Sequence, residues 1–235
     1  MSYFRSGLFS VLYFCTGMFF GSLSVLLLVL PIRLRHKIIM SWTFMAVQML
    51  RFICGVKYEL IGREHLQNRQ GPVVILAKHQ STWETLYLQN LFWPASTVLK
   101  KELLNIPFFG WGLRALVPIA IDRENPREAL REVKVKGLKR LKHNYNLLLF
   151  PEGTRMKVGE RGKYARSGAD IAIESGVSII PVAHNAGKFW PSGEFLKKPG
   201  TIKIVLGEPI SPEGKTSKML IQQVEDWIET TVKTL

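Results

Sequence analysis

Cysteine is nearly missing from this chain: Cys15 lies inside one apolar run and Cys54 ends another. Two such residues build neither a disulfide framework nor a metal-ligand cluster, so a reducing, cytosolic setting is expected for the folded part. Acidic residues are also scarce, with 18 Asp+Glu against 32 Lys+Arg and a formal net charge of +14. That excess calls for an anionic partner: phospholipid head groups, nucleic acid, or an acidic carrier or cofactor. The chain has no internal repeat, no low-complexity run and no Gly-x-Ser-x-Gly elbow, which excludes a repeat array and the serine-nucleophile turn. Charge itself disappears between Ser6 and Ile32.

A helix over Leu8 to Leu30 would be about 34 Å long, enough to cross a bilayer core. A cleaved signal is not expected, because only Arg5 precedes the run, the run is long, and no small-x-small site follows it. Arg33, Arg35 and Lys37 come next and outweigh Arg5, which places the remainder of the chain in the cytoplasm. A second apolar stretch, Ile38 to Leu50, is too short to span and is accompanied by Ser41, Gln48 and Arg51. It can pair with the first as a monotopic hairpin dipping into one leaflet, with Trp42 at the interface. Spanning and dipping both stay open. Gly17 and Gly21 form a GxxxG, which carries little weight as a dimer signal because glycine is common in membrane helices.

The 235 residues suit one sizeable domain and an appendage: residues 1–55 as membrane anchor and interfacial helix, residues 56–235 as the catalytic domain. Strands are expected at Val56 to Ile61, Val73 to Ala77, Ala95 to Leu99, Val117 to Ile121, Asn146 to Phe150, Val177 to Val182 with a break at Pro181, and Thr201 to Leu206. Helices are expected from Ser81 to about Leu91, Pro126 to Lys142, Gly168 to Glu174 and Ser217 to Leu235. The first long one turns Leu130, Val133, Leu138 and Leu141 inward and a basic face outward, suited to solvent or anionic lipid. The last turns Leu220, Val224, Trp227, Ile228 and Val232 inward. This alternation predicts an α/β fold: a mainly parallel mixed sheet flanked by helices, with an N-terminal membrane-embedded helix or two-helix hairpin.

The chemistry concentrates at strand ends, where α/β folds place it. His79 follows the apolar strand Val73 to Ala77, and Glu84 comes five residues later, in reach to orient an imidazole. Ser81 and Glu84 also fit a capping box, Ser81 accepting from the Glu84 amide and the carboxylate from the Ser81 amide. His36, His65, His143 and His184 lack an acid at that spacing; His65 reads as an exposed surface residue and His184 as a rival base. Lys100 and Lys101 open a Gly- and aromatic-rich loop through Gly110, Trp111 and Gly112. Arg123 ends a strand, where it suits bidentate contact with a phosphate or a surface pair with Asp122. Phe150 to Arg155 is a tight loop forced by Pro151 and Gly153, presenting Glu152, Thr154 and Arg155 together.

His-x4-acid, the Gly-Trp loop leading to Ile-Asp-Arg, Phe-Pro-Glu-Gly-Thr-Arg and Ile-Pro-Val-Ala occur in that order between about Val56 and Leu206. Together these four loops resemble the glycerolipid acyltransferase family, and within it the bacterial 1-acylglycerol-3-phosphate acyltransferases. The resemblance implies that His79 is the general base and the carboxylate its orienting partner, Glu84 standing where the family usually has Asp. It puts Arg123, Glu152 and Arg155 on acceptor-binding positions, with Gly153 and Thr154 shaping that loop, and relates Pro181 to the acyl-donor side. Lys100 and Lys101 are added as phosphate contacts. The implied reaction moves an acyl group from acyl-CoA or acyl carrier protein to the sn-2 hydroxyl of lysophosphatidic acid, with no metal and no bound cofactor. Because a neutral imidazole is the active form, its rate should fall on acidification. The implied setting is the cytoplasmic face of a bacterial inner membrane, with anionic lipids as neighbours. Alternatives are a relative acting on lyso-ornithine lipid or lysophosphatidylglycerol, and a non-enzymatic basic protein binding anionic lipid or nucleic acid. The last leaves the four ordered loops unexplained, so nucleic acid is not expected as a partner.

Overall fold

A computed structural model describes residues 1–67 and 71–235. Among these residues seven strands form one sheet: β1 (Val56–Ile61), β2 (Val74–Ala77), β3 (Ala95–Lys100), β4 (Ile119–Ile121), β5 (Asn146–Leu149), β6 (Ile179–His184) and β7 (Gly200–Leu206). Their order across the sheet is β1-β7-β6-β2-β5-β3-β4. Every pairing is parallel except β6 with β7, as a mainly parallel mixed sheet requires. The strands β2 to β6 therefore all end on the same edge, and the segments holding His79, Lys100, Arg123, Phe150 to Arg155 and His184 leave from it.

Alternation along the strands divides the core in two. Ile75 and Ala77 face a cluster containing Trp42, Ala46, Leu50 and Trp83, from α2 (Ile32–Cys54) and α4 (Trp83–Leu91). Val74 and Leu76 face the opposite cluster with Val133, Ile171, Val224 and Ile228, from α6 (Pro126–Lys142), α7 (Ser167–Ser175) and α8 (Ser217–Lys233). Burial on both faces explains why the central strands read as continuous apolar runs.

The N-terminal region is an antiparallel helix pair. α1 (Ser2–Leu26) returns through Leu27–Val29 into α2, with the Cys54 thiol near the Arg5 carbonyl (3.6 Å) and Trp42 Nε1 donating to Thr16 Oγ1 (3.1 Å). Gly55, at φ 72°, closes α2 and turns the chain into β1. The second helix is longer than the apolar stretch Ile38 to Leu50 suggested. At 23 residues it is also long and apolar enough to cross a membrane, because Arg33, Arg35 and Lys37 lie within its first turns instead of in a linker. α1 is inverted relative to a soluble helix: Ser6, Gly21 and Ser24 are buried, whereas Phe4, Phe14, Phe19 and Leu26 are exposed. Such a helix suits a lipid surface.

Both ends of α1 touch the α/β body. Ser6 Oγ accepts from the Lys197 amide (2.9 Å) and Phe9 packs edge-on against Trp190. Near the other end Gly21 lies against the backbone of Phe108, just before α5 (Phe109–Ala115). The GxxxG face thus packs within the chain, Gly17 meeting the Trp42 ring.

Several local expectations are revised. The Gly-Trp segment is the helix α5 and not a loop, since its amides bond backward, as Gly110 N does to Ile106 O. β6 runs through Pro181, whose carbonyl accepts from Gly207 N (2.9 Å), so the fourth motif is a strand. Leu130 is exposed and borders a cavity instead of entering the core. His65, in the short α3 (Glu64–Gln67), is half-buried beside Gly62.

A Cβ added at Gly21 would lie 2.2 Å from the Phe108 carbonyl oxygen, a clash with backbone, whereas at Gly17 it meets only the Trp42 ring at 3.2 Å. Gly21→Ala should therefore cost about 1–3 kcal/mol in detergent unfolding, with Gly17→Ala the milder change.

Candidate active site

His79 is held from every side. Its amide donates to Glu152 Oε2 (2.9 Å) and its carbonyl accepts from Met156 N (2.8 Å), so the loop after β5 fixes both ends of the residue. The Phe150 ring stacks on the imidazole, centroids 4.1 Å apart and planes 20° from parallel. Nδ1 lies 2.9 Å from Glu84 Oε1. A carboxylate only accepts, so Nδ1 carries the proton and Nε2 presents its lone pair. Among the described residues Nε2 has no partner.

Glu84 serves the imidazole and the chain entry into α4 together. The same Oε1 accepts from Gln80 N (2.9 Å) and Ser81 N (2.8 Å). Of the expected capping box, the carboxylate half is present; Ser81 Oγ instead accepts from Trp83 N, and the helix begins two residues later than Ser81. Burial opposes ionisation of this fully enclosed carboxyl, but the hydrogen bonds it accepts from the His79 ring and the Ser81 amide hold its pKa below the ordinary carboxylate value. Both oriented-imidazole and helix-entry readings of Glu84 describe one geometry.

Glu152 departs from expectation. Its side chain is fully buried, with Oε1 taking the Lys78 ammonium (2.7 Å) and Oε2 the His79 amide, so it does not face an acceptor. Burial raises its pKa, with the Lys78 ammonium and the His79 amide opposing. Lys78 also donates to Glu229 Oε1 on α8 (2.8 Å) and to the Glu160 carbonyl (3.0 Å), and Tyr164 donates to the same Glu229 oxygen (2.8 Å). Sequence reasoning passed over Lys78, Glu229 and Tyr164. A signal existed: Lys78 continues the Val74, Leu76 face of the strand, which is core.

His184 is not a base. It is buried, its Nε2 donates to the Lys78 carbonyl (2.8 Å), and its Nδ1 accepts from the Ala186 amide (3.2 Å), which fixes a neutral ring with both nitrogens engaged. Burial lowers its pKa.

Two cavities meet at His79. One, of about 310 Å³, lies under α6 and is bordered by Leu76, Val98, Leu130 and Phe150. The other, of about 410 Å³, runs toward the helix pair past Thr82, Leu86, Trp42 and Tyr13. Arg123 and Gly153 border both, and Lys100, Thr154 and Arg155 border the second. Gly153, at φ 69° with open space beside it, makes the bend that exposes Thr154. Arg155 Nε donates to the Ser81 carbonyl (2.9 Å), which aims the guanidinium along the wall. Lys101 lies outside: it pairs with Asp122 at the surface (2.5 Å), so the expected phosphate contact is not where its ammonium stands. Among the described residues Arg123 forms no ion pair with Asp122 or any other carboxylate.

A family model described as Acyltransferase matches residues 57–185. Over 233 residues the chain is 41% identical to a 1-acyl-sn-glycerol-3-phosphate acyltransferase of Pseudomonas aeruginosa, covering 97% of this chain and 90% of that protein. The enzyme of the same name from Saccharomyces cerevisiae is 28% identical over 192 residues, covering 78% of this chain and 62% of that protein. The crystal structure of the 1-acyl-sn-glycerophosphate (LPA) acyltransferase PlsC from Thermotoga maritima superposes with a TM-score of 0.78 at 24% identity, covering 100% of this chain and 97% of that one, a likeness of fold. The chain belongs to the acyltransferase family.

Two substitutions probe these buried charges. Lys78→Met leaves the Glu152 and Glu229 carboxylates without their shared cation and should cost about 3–5 kcal/mol of stability. Because the native Glu84 pKa is depressed, its ionised form stabilises the fold above the ordinary carboxylate range. The stability gap between wild type and Glu84→Gln should be full at neutral pH and close as pH falls through that range to the lower native value, as read by thermal unfolding across pH.

Proposed function

We propose that this chain transfers a fatty acyl group from an acyl thioester to the sn-2 hydroxyl of 1-acylglycerol-3-phosphate, giving phosphatidic acid for phospholipid synthesis. The observation that carries the reading is the His79 Nδ1 bond to buried Glu84, which leaves Nε2 free at the junction of two cavities. Nε2 takes the proton of the acceptor hydroxyl as its oxygen attacks the thioester carbonyl. The tetrahedral adduct then expels the thiolate, the carbon–sulfur bond breaks, and the imidazolium returns the proton to sulfur. Glu84 orients the ring and stabilises its charged form between these steps. Held geometry also lowers the barrier, since the thioester is already activated. The sequence of proton transfers requires neither metal nor bound cofactor.

Arg123 and Lys100 take the acceptor phosphate, supported by their place on the cavity walls near His79. Glu152 acts indirectly, by holding the His79 backbone. The helix pair lies in one leaflet, a reading supported by contacts of α1 with the body at both Ser6 and Gly21. Arg33, Arg35 and Lys37 favour the cytoplasmic face of a bacterial inner membrane, where anionic lipids meet the positive surface. The donor is acyl-CoA or acyl carrier protein.

The test is acyl transfer from labelled forms of both donors to lysophosphatidate in detergent micelles. Phosphatidate should form, fall by about 10²- to 10⁴-fold in His79→Ala, and fall less in Glu84→Gln. Wild type that acylates lysophosphatidylglycerol or lyso-ornithine lipid while leaving lysophosphatidate untouched would overturn the acceptor assignment.

A further inference from the structure

A residue has two soft backbone torsions, so holding the peptide planes before and after it fixes the direction in which its side chain leaves. Around His79 all four polar atoms of those planes are taken. In the plane after it, the His79 carbonyl accepts from Met156 N (2.8 Å) and the Gln80 amide donates to Glu84 Oε1 (2.9 Å). In the plane before it, the His79 amide donates to Glu152 Oε2 (2.9 Å) and the Lys78 carbonyl accepts from His184 Nε2 (2.8 Å). Met156 lends a backbone amide, while Glu84 and Glu152 also serve the imidazole and the Lys78 ammonium. His184 has no other assigned task.

Strand register brings it there. Ala77 pairs with Val182 across the parallel strands β2 and β6, so His79 and His184, each two residues further on, fall on the same face of the sheet. The ring is buried, and the Ala186 amide donates to its Nδ1 (3.2 Å), which leaves the proton on Nε2, aimed at Lys78. Only a neutral imidazole meets both partners, because a doubly protonated ring would point Nδ1–H at the Ala186 N–H. Burial favours that neutral form. Neutrality also suits the neighbour: a second cation beside His79 would oppose the imidazolium formed when it takes a proton.

We infer that His184 is a positioning residue for acyl transfer, an inference that rests on the reaction proposed above. Its donation to the Lys78 carbonyl fixes one edge of the peptide plane whose other edge Glu152 holds through the His79 amide. Without that donor a buried carbonyl is left unmet, and the plane turns toward another partner. The turn swings the Cα–Cβ bond of His79 and carries Nε2 away from the hydroxyl it deprotonates. His184 borders neither cavity at His79, so its effect falls on the chemical step and not on the binding of either substrate.

The test compares full-length wild type in micelles with His184→Gln, His184→Met and His184→Asn. Gln can set its amide nitrogen where Nε2 stands and keep the bond to Lys78; Met is of similar length but has no donor, and Asn retains an acceptor for Ala186 alone. kcat and the KM of each substrate are measured with lysophosphatidate and acyl-CoA. The ring nitrogens of isotope-labelled histidines are followed by NMR, the His79 signal being assigned by its loss in His79→Ala. His184→Met and His184→Asn should lower kcat by about 10- to 100-fold with both KM values unmoved, and should shift the His79 Nδ1 signal. His184→Gln should recover most of that loss and return the signal toward its wild-type position. Met and Asn variants as fast as wild type, or a Gln variant as slow as the Met one, overturn the role of the Lys78 bond. A change confined to KM overturns it as well, by making His184 part of a substrate site. Thermal unfolding shows whether each variant folds, and if Asn does not, the Gln and Met pair decides. Wild type that makes no phosphatidate removes the acceptor reading instead. The NMR comparison then decides the positioning role without turnover: a His79 signal shifted in His184→Met and restored in His184→Gln supports it, and one alike in wild type and His184→Met overturns it.

Discussion

Glu152 joins the fold to the reacting histidine. One of its oxygens takes the ammonium of Lys78 at the end of the central strand, and the other takes the backbone amide of the next residue, His79. Lys78 in turn reaches Glu229 on the last helix, so a single buried cluster fastens β2, the loop after β5 and α8 to each other. A charge this deep is stable only with its partners in place. That requirement links C-terminal helix docking to the position of an imidazole at the far end of the strand. The clamp is completed by Met156 and Phe150, which fix the carbonyl and the ring plane of the same residue.

With the backbone immobilised, the imidazole needs only one further partner to be aimed, and Glu84 supplies it from the first turn of α4. One oxygen receives the ring and two amides, so the orientation of the base and the start of the helix cannot be altered separately. The cavities then follow from the layers. One lies between the sheet edge and α6, the other between the sheet edge and the helix pair, and they meet where His79 emerges. A helix pair packed along the body brings the apolar cavity next to a lipid-facing surface, which suits a reaction whose acceptor and product are amphiphiles.

Much of the sheet was legible because its strands are short apolar runs bounded by turn residues, and parallel strands buried on both faces leave no other pattern. His79 and Arg123 were legible as residues at strand ends, and Glu84 by its spacing of five residues from His79. The direction of the Glu152 side chain was not, since a tight loop shows that residues are presented together without showing which of them turns inward. Lys101 was misplaced for a related reason: of two adjacent lysines, only Lys100 borders the cavity, and the neighbour finds Asp122. The extent of α2 was hidden by its three basic residues, which read as a boundary but lie along the helix. Leu130 fits the inward stripe of α6, yet it falls where that helix overhangs a cavity, which periodicity alone does not reveal.

The central claim is that the neutral His79 imidazole takes the acceptor proton. Single-turnover acyl transfer to lysophosphatidate, followed as the solution is acidified, tests it most directly, because only the neutral ring can accept a proton at Nε2. The account predicts that the wild-type rate falls on acidification, while His79→Ala is slow and flat over the same interval. A wild-type rate that stays level with chemistry limiting, or an equal fall in His79→Ala, would contradict it.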